Sequence, residues 1–303
     1  MKLSPLISVV MPVHNYGHLI KESIDSVLAQ TMPDFELIIV NDGSSDNSSE
    51  VARSFLDNRI KVIDFQENKG CYPARNAGMR AAKGKYICVM DADDLCLPER
   101  LEKQYQFMEE NKEVGMIGGV YRKMDNDQYD FRDTDYETIK LLLLKFCYLV
   151  HATCMVRTSL IVKYDLYYDE SYRYASDHDW VVRASSLFPV SNINVPLLLI
   201  RRHAQQISTS KRREQSYFVD QIRVKQLSLF GIEPTETERA LHLAFTKFFP
   251  TVAINNCIDE KMIDQWVDRL SKANRKTRYF SQQKLQNWLQ AHQYLYHHQN
   301  KQI

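Results

Sequence analysis

The chain has 303 residues, 39 basic and 38 acidic side chains, a formal charge of +1 and 44% apolar residues. The balanced charge excludes a surface built around nucleic-acid phosphates, and the apolar content excludes a disordered chain. Six cysteines, at positions 71, 88, 96, 147, 154 and 257, form no C-x-x-C pair. A zinc ribbon is therefore not expected, and a reduced, cytoplasmic setting fits better than a disulfide scaffold. The first apolar run, 6–11, is too short for a signal-peptide core. No run reaches the ~20 residues of a membrane span, so the chain reads as soluble or peripheral.

Residues 6–11 (LISVVM) are apolar and β-branched and stop at Pro12, which predicts a buried strand. Residues 18–30 carry Ile20, Ile24, Val27 and Leu28 at helical spacing. A second strand, 35–40 (FELIIV), ends in the turn-forming run Asn41-Asp42-Gly43-Ser44-Ser45. Helix 46–56, strand 60–65, helix 73–83 and strand 86–90 follow. Pro98 then opens a helix running over 100–111, because proline is tolerated in a first turn. Alternating strands and helices whose strands are apolar on both faces imply a mostly parallel sheet covered on both sides. In such sheets ligands bind beyond the carboxyl ends of the strands. The polar clusters 12–15, 41–46 and 91–94 all fall at those ends. From about 211 to 303 glycine nearly vanishes and helix formers dominate, so a helical extension is expected there, after a first domain over 1–210.

Asp91-Ala92-Asp93-Asp94 is the strongest chemical signal. Carboxylates placed together repel, and a fold that gathers them usually supplies a cation. Oxygen-only ligands suit Mg²⁺ or Mn²⁺, and such an ion bridges naturally to a diphosphate. Taken alone, the same four residues also fit a turn with one aspartate capping the next helix. Asp42 stands at a strand end, where its carboxylate can accept from a base or ribose or simply belong to a turn capped by Ser45 or Asp46. Residues 68–78 open a helix, so their amides and Arg75 suit an anion, or form a loop with an exposed arginine. Pro12 to Gly17 does not match a dinucleotide-binding glycine pattern, which argues against an oxidoreductase. A nucleotidyltransferase would need a glycine- and basic-rich loop after its first strand, and that is missing.

Together these segments resemble the catalytic domain of glycosyltransferase family 2, which has the GT-A fold. The matching residues are Ile7 through Asn15, Ile38 through Asp46, Asn68 through Gly78, and Gly84 through Asp94 followed by Pro98, Arg100 and Leu101. The resemblance spans roughly 5–210 and implies an inverting, metal-assisted transfer from a nucleotide sugar, a UDP-sugar foremost, to a glycan or lipid-linked glycan acceptor. It implies that Pro12, Val13, His14, Asn15, Asp42, Asn68 and Arg75 line the nucleotide pocket. Asp91, Ala92 and Asp93 match the metal and ribose-diphosphate motif. Residues 175–183 (ASDHDWVVR) look like the family's Glu-Asp segment, with Ser176 in place of the Glu and Trp180-Val181 in place of a Leu-Trp pair. Asp177 matches the base position, and Asp179 also matches a recurrent acid. Arg201 and Arg202 resemble a segment that closes over the diphosphate, and His203 is a further metal-ligand candidate. The Gln-x-x-Arg-Trp motif and membrane spans of processive members are not found, so transfer of one or a few sugars is expected. A non-catalytic sugar-nucleotide or glycan-binding module is the alternative. Beyond Asp268 every charged side chain is basic, with Trp288, Leu289, Tyr294, Leu295 and Tyr296 interspersed. That tail suits either peripheral contact with anionic lipid or a solvated, packed helical face.

Overall fold

The structure, a computed structural model, describes residues 4–124, 129, 131–201, 211–246 and 258–299. It contains two compact units, 1–135 with 149–212, and 136–148 with 213–303.

The first unit is an eight-stranded sheet in the order β3-β2-β1-β4-β7-β6-β8-β5. Strands β1 (Ile7–Val13), β2 (Phe35–Asn41), β3 (Ile60–Asp64) and β4 (Tyr86–Val89) pair in parallel, as their doubly apolar pattern requires. Helices α1 (Ile20–Leu28), α2 (Ser48–Arg53) and α3 (Cys71–Ala81) connect them. Beyond β4 the sheet becomes mixed. β7 (Met155–Arg157) enters antiparallel between β4 and β6 (Met116–Lys123), which α4 (Arg100–Glu110) precedes. β8 (Val190–Ile200) lies parallel to β6, and the two-residue β5 (Leu95–Cys96) pairs antiparallel with β8. The predicted parallel core is thus the N-terminal half of a mixed sheet. α3 lies close against it because Gly78 has no side chain: a Cβ there would come within 2.5 Å of Val10.

The second unit is helical. It combines α5 (Tyr136–Leu142) with α8 (Arg212–Lys225), α9 (Glu236–Thr246), α10 (Glu260–Thr277) and α11 (Gln282–Gln299), and α6 (Thr158–Tyr164) and α7 (Ser176–Leu187) belong to the first unit. Its core gathers Leu141, Leu144, Phe230, Ile263, Trp266, Leu270 and Phe280. Asp259 caps α10, accepting from the Met262 amide at 2.7 Å. Leu289 and Tyr296 of the tail are buried in this core and Trp288 packs against it, while Tyr294 and Leu295 face outward. The apolar side chains that lipid contact would use are thus mostly consumed by packing. Among the described residues no helix is long and apolar enough to cross a membrane.

Candidate active site

The crevice begins where β1 outruns β4. Their pairing ends at Val10 opposite Val89, and Val10's carbonyl accepts the Met90 amide. Residues two apart on a strand face the same neighbour, so Pro12 also faces β4, beyond that strand's end. A proline in a central strand is tolerated because no ladder donor is needed at that point. On the other side β1 stays paired with β2, and Val13's carbonyl accepts the Asp42 amide at 2.8 Å.

The two loops at the ends of β1 and β2 are tied together. His14 Nδ1 donates to the Asp42 carbonyl at 2.8 Å, which leaves Nε2 to accept from Asn15 at 3.2 Å. Asn15, in the left-handed region with φ 57°, accepts from the Ser45 amide through Oδ1 and donates its own amide to Ser44. Asp42 is buried, and its two carboxylate oxygens accept from the amides of Lys69 and Gly70 at 2.7 and 2.9 Å. Those amides lead into α3, where a negative charge is favourable. Gly43, at φ 61°, lets the turn pass against the Glu67–Asn68 backbone, which a Cβ would meet at 2.4 Å. Asn68 itself is exposed.

Beyond β4 the chain turns through the acidic loop. One oxygen each of Asp91, Asp93 and Asp94 lies within 4.8 Å of the others. Arg75, 5% exposed, donates through Nη2 to Asp91, and its Nε and Nη1 are buried with no hydrogen-bond partner. Burial opposes ionisation of Asp91, but Arg75 outweighs it and holds the carboxyl below its ordinary value. At Asp94 the balance reverses: burial first, then Asp91 and Asp93, push it up to about 9 against the smaller pull of the Arg201 amide and Arg100. Three oxygen donors that cannot all ionise together fit a divalent cation. The Tyr16 phenol also faces this loop, and burial and the three aspartates raise its pKa. Ala92's carbonyl accepts from Ser23 of α1 at 2.8 Å.

The β5–β8 register brings Arg201 to the same loop. Leu95 pairs with Leu199 antiparallel, so continuing the ladder sets Asp93 opposite Arg201. Arg201 donates its amide to Asp94 and Nη1 to the Asp93 carbonyl, each at 3.3 Å, and Nη2 to Glu22 of α1. Arg202 and His203 lie outside the described residues. Behind the loop Arg100 is 1% exposed. Its guanidinium donates to the carbonyls of Val89 (2.6 Å) and Ala152 (2.8 Å) and to Gln104 (3.1 Å).

The two acids of 175–183 both lie in the first turn of α7. Asp179 is 1% exposed and bound by Arg183 at 2.6 Å, whose Nη2 also donates to the Tyr167 carbonyl. Asp177 is partly exposed, and Tyr72 of α3 donates to its Oδ1 at 3.1 Å. Burial raises the Asp177 carboxyl above its ordinary value, against the opposing pull of Tyr72 and Arg75. Asp94 and Tyr72 stood in the sequence only as members of the acidic run and of the 68–78 segment, with no role of their own, and Glu22 carried no signal, since it acts across 179 residues.

The order of this sheet, with an acidic loop at the end of its fourth strand, is that of a GT-A-like glycosyltransferase. S. aureus TarS, solved in complex with UDP-GlcNAc, superposes with a TM-score of 0.66 at 17% identity, over 95% of this chain and 88% of that one. A mannosyltransferase from Pyrobaculum calidifontis, solved with GDP-Man and Mn²⁺, gives 0.59 at 15% identity, over 96% and 86%. The model of Glycosyl transferase family 2 matches residues 8–168, and the chain belongs to that family and is a glycosyltransferase. An uncharacterized glycosyltransferase of Rickettsia prowazekii is 32% identical over 229 residues, 72% of this chain and 70% of that one. One from Methanocaldococcus jannaschii is 34% identical over 193 residues, 59% of this chain and 64% of its own length. The Escherichia coli UDP-Glc:alpha-D-GlcNAc-diphosphoundecaprenol beta-1,3-glucosyltransferase is 37% identical over 122 residues, 40% of this chain and 48% of that one.

Proposed function

We propose that the protein transfers single sugars from a UDP-sugar to a hydroxyl of a glycan or lipid-linked glycan, with inversion, in surface polysaccharide or lipopolysaccharide synthesis. The observation that carries this is the cluster Asp91–Asp93–Asp94 at the sheet's carboxyl edge, with the unpartnered donors of Arg75 beside it. The name of the E. coli relative, with its UDP-glucose donor and diphosphoundecaprenol-linked acceptor, supports the donor and acceptor classes. The catalytic part is assigned to 1–210 and the remainder to a helical extension. In this reading Pro12, Val13, His14, Asn15, Asp42 and Asn68 surround the nucleotide, and Arg75, Ala92, Arg201 and Arg202 the ribose and diphosphate. Mg²⁺ or Mn²⁺ held by Asp93 and Asp91, with His203 a further ligand, would neutralise the leaving diphosphate. Asp177 takes the proton of the acceptor hydroxyl as its oxygen bonds to the anomeric carbon and the bond to the diphosphate breaks. One displacement inverts that carbon; retention by two displacements would need a carboxylate nucleophile at the sugar face.

A screen of sugar nucleotides for release of free nucleoside diphosphate, with and without divalent metal, tests the assignment. Release from none of them means a binding module. Product anomeric configuration by proton NMR tests inversion. Asp93→Ala is expected to lose more than tenfold in turnover, on the order of 2 kcal/mol. Full activity of that variant in EDTA overturns the metal role. Asp42→Ala is expected to weaken UDP binding by roughly 1–3 kcal/mol in calorimetry, the scale for a hydrogen bond to a charged group. The two Asp42 contacts to the start of α3 add to the effect by releasing the loop that carries Asn68 and leads into the helix of Arg75. Equal or tighter binding of GDP contradicts a uridine donor.

A further inference from the structure

Tyr72, the second residue of α3, is 7% exposed and donates to Asp177 Oδ1 at 3.1 Å. Its ring stacks on Tyr168, centroids 5.4 Å apart. Tyr168 is held in turn by the same helix: Asn76, one turn after Tyr72, donates to the Tyr168 carbonyl at 3.0 Å and accepts its amide at 2.8 Å. The Tyr168 hydroxyl meets His151 Nε2 at 2.8 Å. Burial first, then Asp177, raises the Tyr72 phenol well above its ordinary range, so it stays protonated and able to donate. The fold gains no core volume from that hydroxyl, since phenylalanine would fill the same stack.

We propose that Tyr72 is a positioning residue for Asp177, its hydroxyl fixing one carboxylate oxygen against α3 so that the other is presented to the acceptor. This rests on the reading of Asp177 as the base. The groups that face Asp177 are Cys71, Tyr72 and Arg75 from α3, Cys154 just before β7, Tyr168 from the loop before α7, and the His178 amide of its own helix. Burial pushes Cys71, Tyr72, Cys154 and Tyr168 upward, which keeps them neutral at working pH. Of this set Arg75 carries the charge, and it is unchanged by altering Tyr72.

The sign follows. A donated hydrogen bond favours the carboxylate, so its loss raises the Asp177 pKa, and the limb of activity that rises with pH moves to higher pH. The test uses the full chain with UDP-glucose, Mn²⁺ and water as acceptor, following UDP release, together with carbon NMR titration of the Asp177 carboxyl, assigned by difference from Asp177→Asn. Tyr72→Phe is expected to move both the acid limb and the titration up by about one pH unit. It should lower kcat roughly tenfold at neutral pH while KM for UDP-glucose stays within about twofold. A merely structural role would lower the melting temperature without moving either titration. An unmoved limb and an unmoved Asp177 titration in Tyr72→Phe, with Asp177→Asn inactive, overturn the positioning role and leave the base reading standing. Wild-type turnover by Asp177→Asn overturns the base reading and, with it, the role of Tyr72.

Discussion

Asp177→Asn is expected to lower kcat at least a hundredfold, about 2.7 kcal/mol, with UDP affinity unchanged in calorimetry. The amide keeps the shape and the Tyr72 contact but cannot take a proton from an acceptor hydroxyl. Two acids compete for this role by sequence, and their surroundings separate them. Both are in the first turn of α7, where side chains two residues apart point in widely different directions. Asp179 is fully enclosed and committed to Arg183, which carries the contact on to the Tyr167 carbonyl. Asp177 is partly exposed, and burial lifts its pKa above the ordinary carboxylate value, toward that of an effective base. Since a base works deprotonated, activity should fall as pH drops through that raised value. Asp179→Asn should lower the melting temperature and leave turnover largely intact. Normal turnover in Asp177→Asn with a dead, folded Asp179→Asn reverses the two roles.

Arg100→Met is expected to destabilise the fold by about 3 kcal/mol, on the order of 10 °C in melting temperature for a unit of this size. The methionine follows the aliphatic stem but leaves the carbonyls of Val89 and Ala152 and the amide oxygen of Gln104 without their shared donor. Buried acceptors stripped of a donor cost about 1–3 kcal/mol each, partly offset by removing a buried charge. Arg100→Lys should not rescue, because one ammonium cannot reproduce the planar fork that reaches three acceptors. An unchanged melting temperature in Arg100→Met refutes this account. Val89 immediately precedes the turn into the acidic loop, so weakened turnover should accompany the lost stability.

The parallel half of the fold was legible because its strands are short apolar runs, each ending in a polar turn. Asp42, Asp91 and Asp93 stand just past those ends and Arg75 on α3, and the geometry brings Arg75 to Asp91 and Asp42 to the start of α3. The antiparallel insertion of β7 was not legible, since three residues carry no measurable period. Nor was β5, two residues long, whose pairing with β8 brings Arg201 to Asp93. α5 gives no local sign that it packs with helices seventy or more residues further on, because its apolar face would suit either unit. α3 starts at Cys71, before Pro73, because the first-turn amides have no intrahelical partner and a proline there loses nothing.

Pro12 has a consequence for the permanence of the crevice. A sheet heals gaps by recruiting strand, and the span of β1 past Val89 would be such a gap if it offered a regular row of donors. The missing N–H breaks that row, so a lengthened β4 or a stray segment of another chain would gain one ladder hydrogen bond fewer there. The covalent chemistry of one ring thus works against closure of the crevice by sheet growth, independent of any ligand.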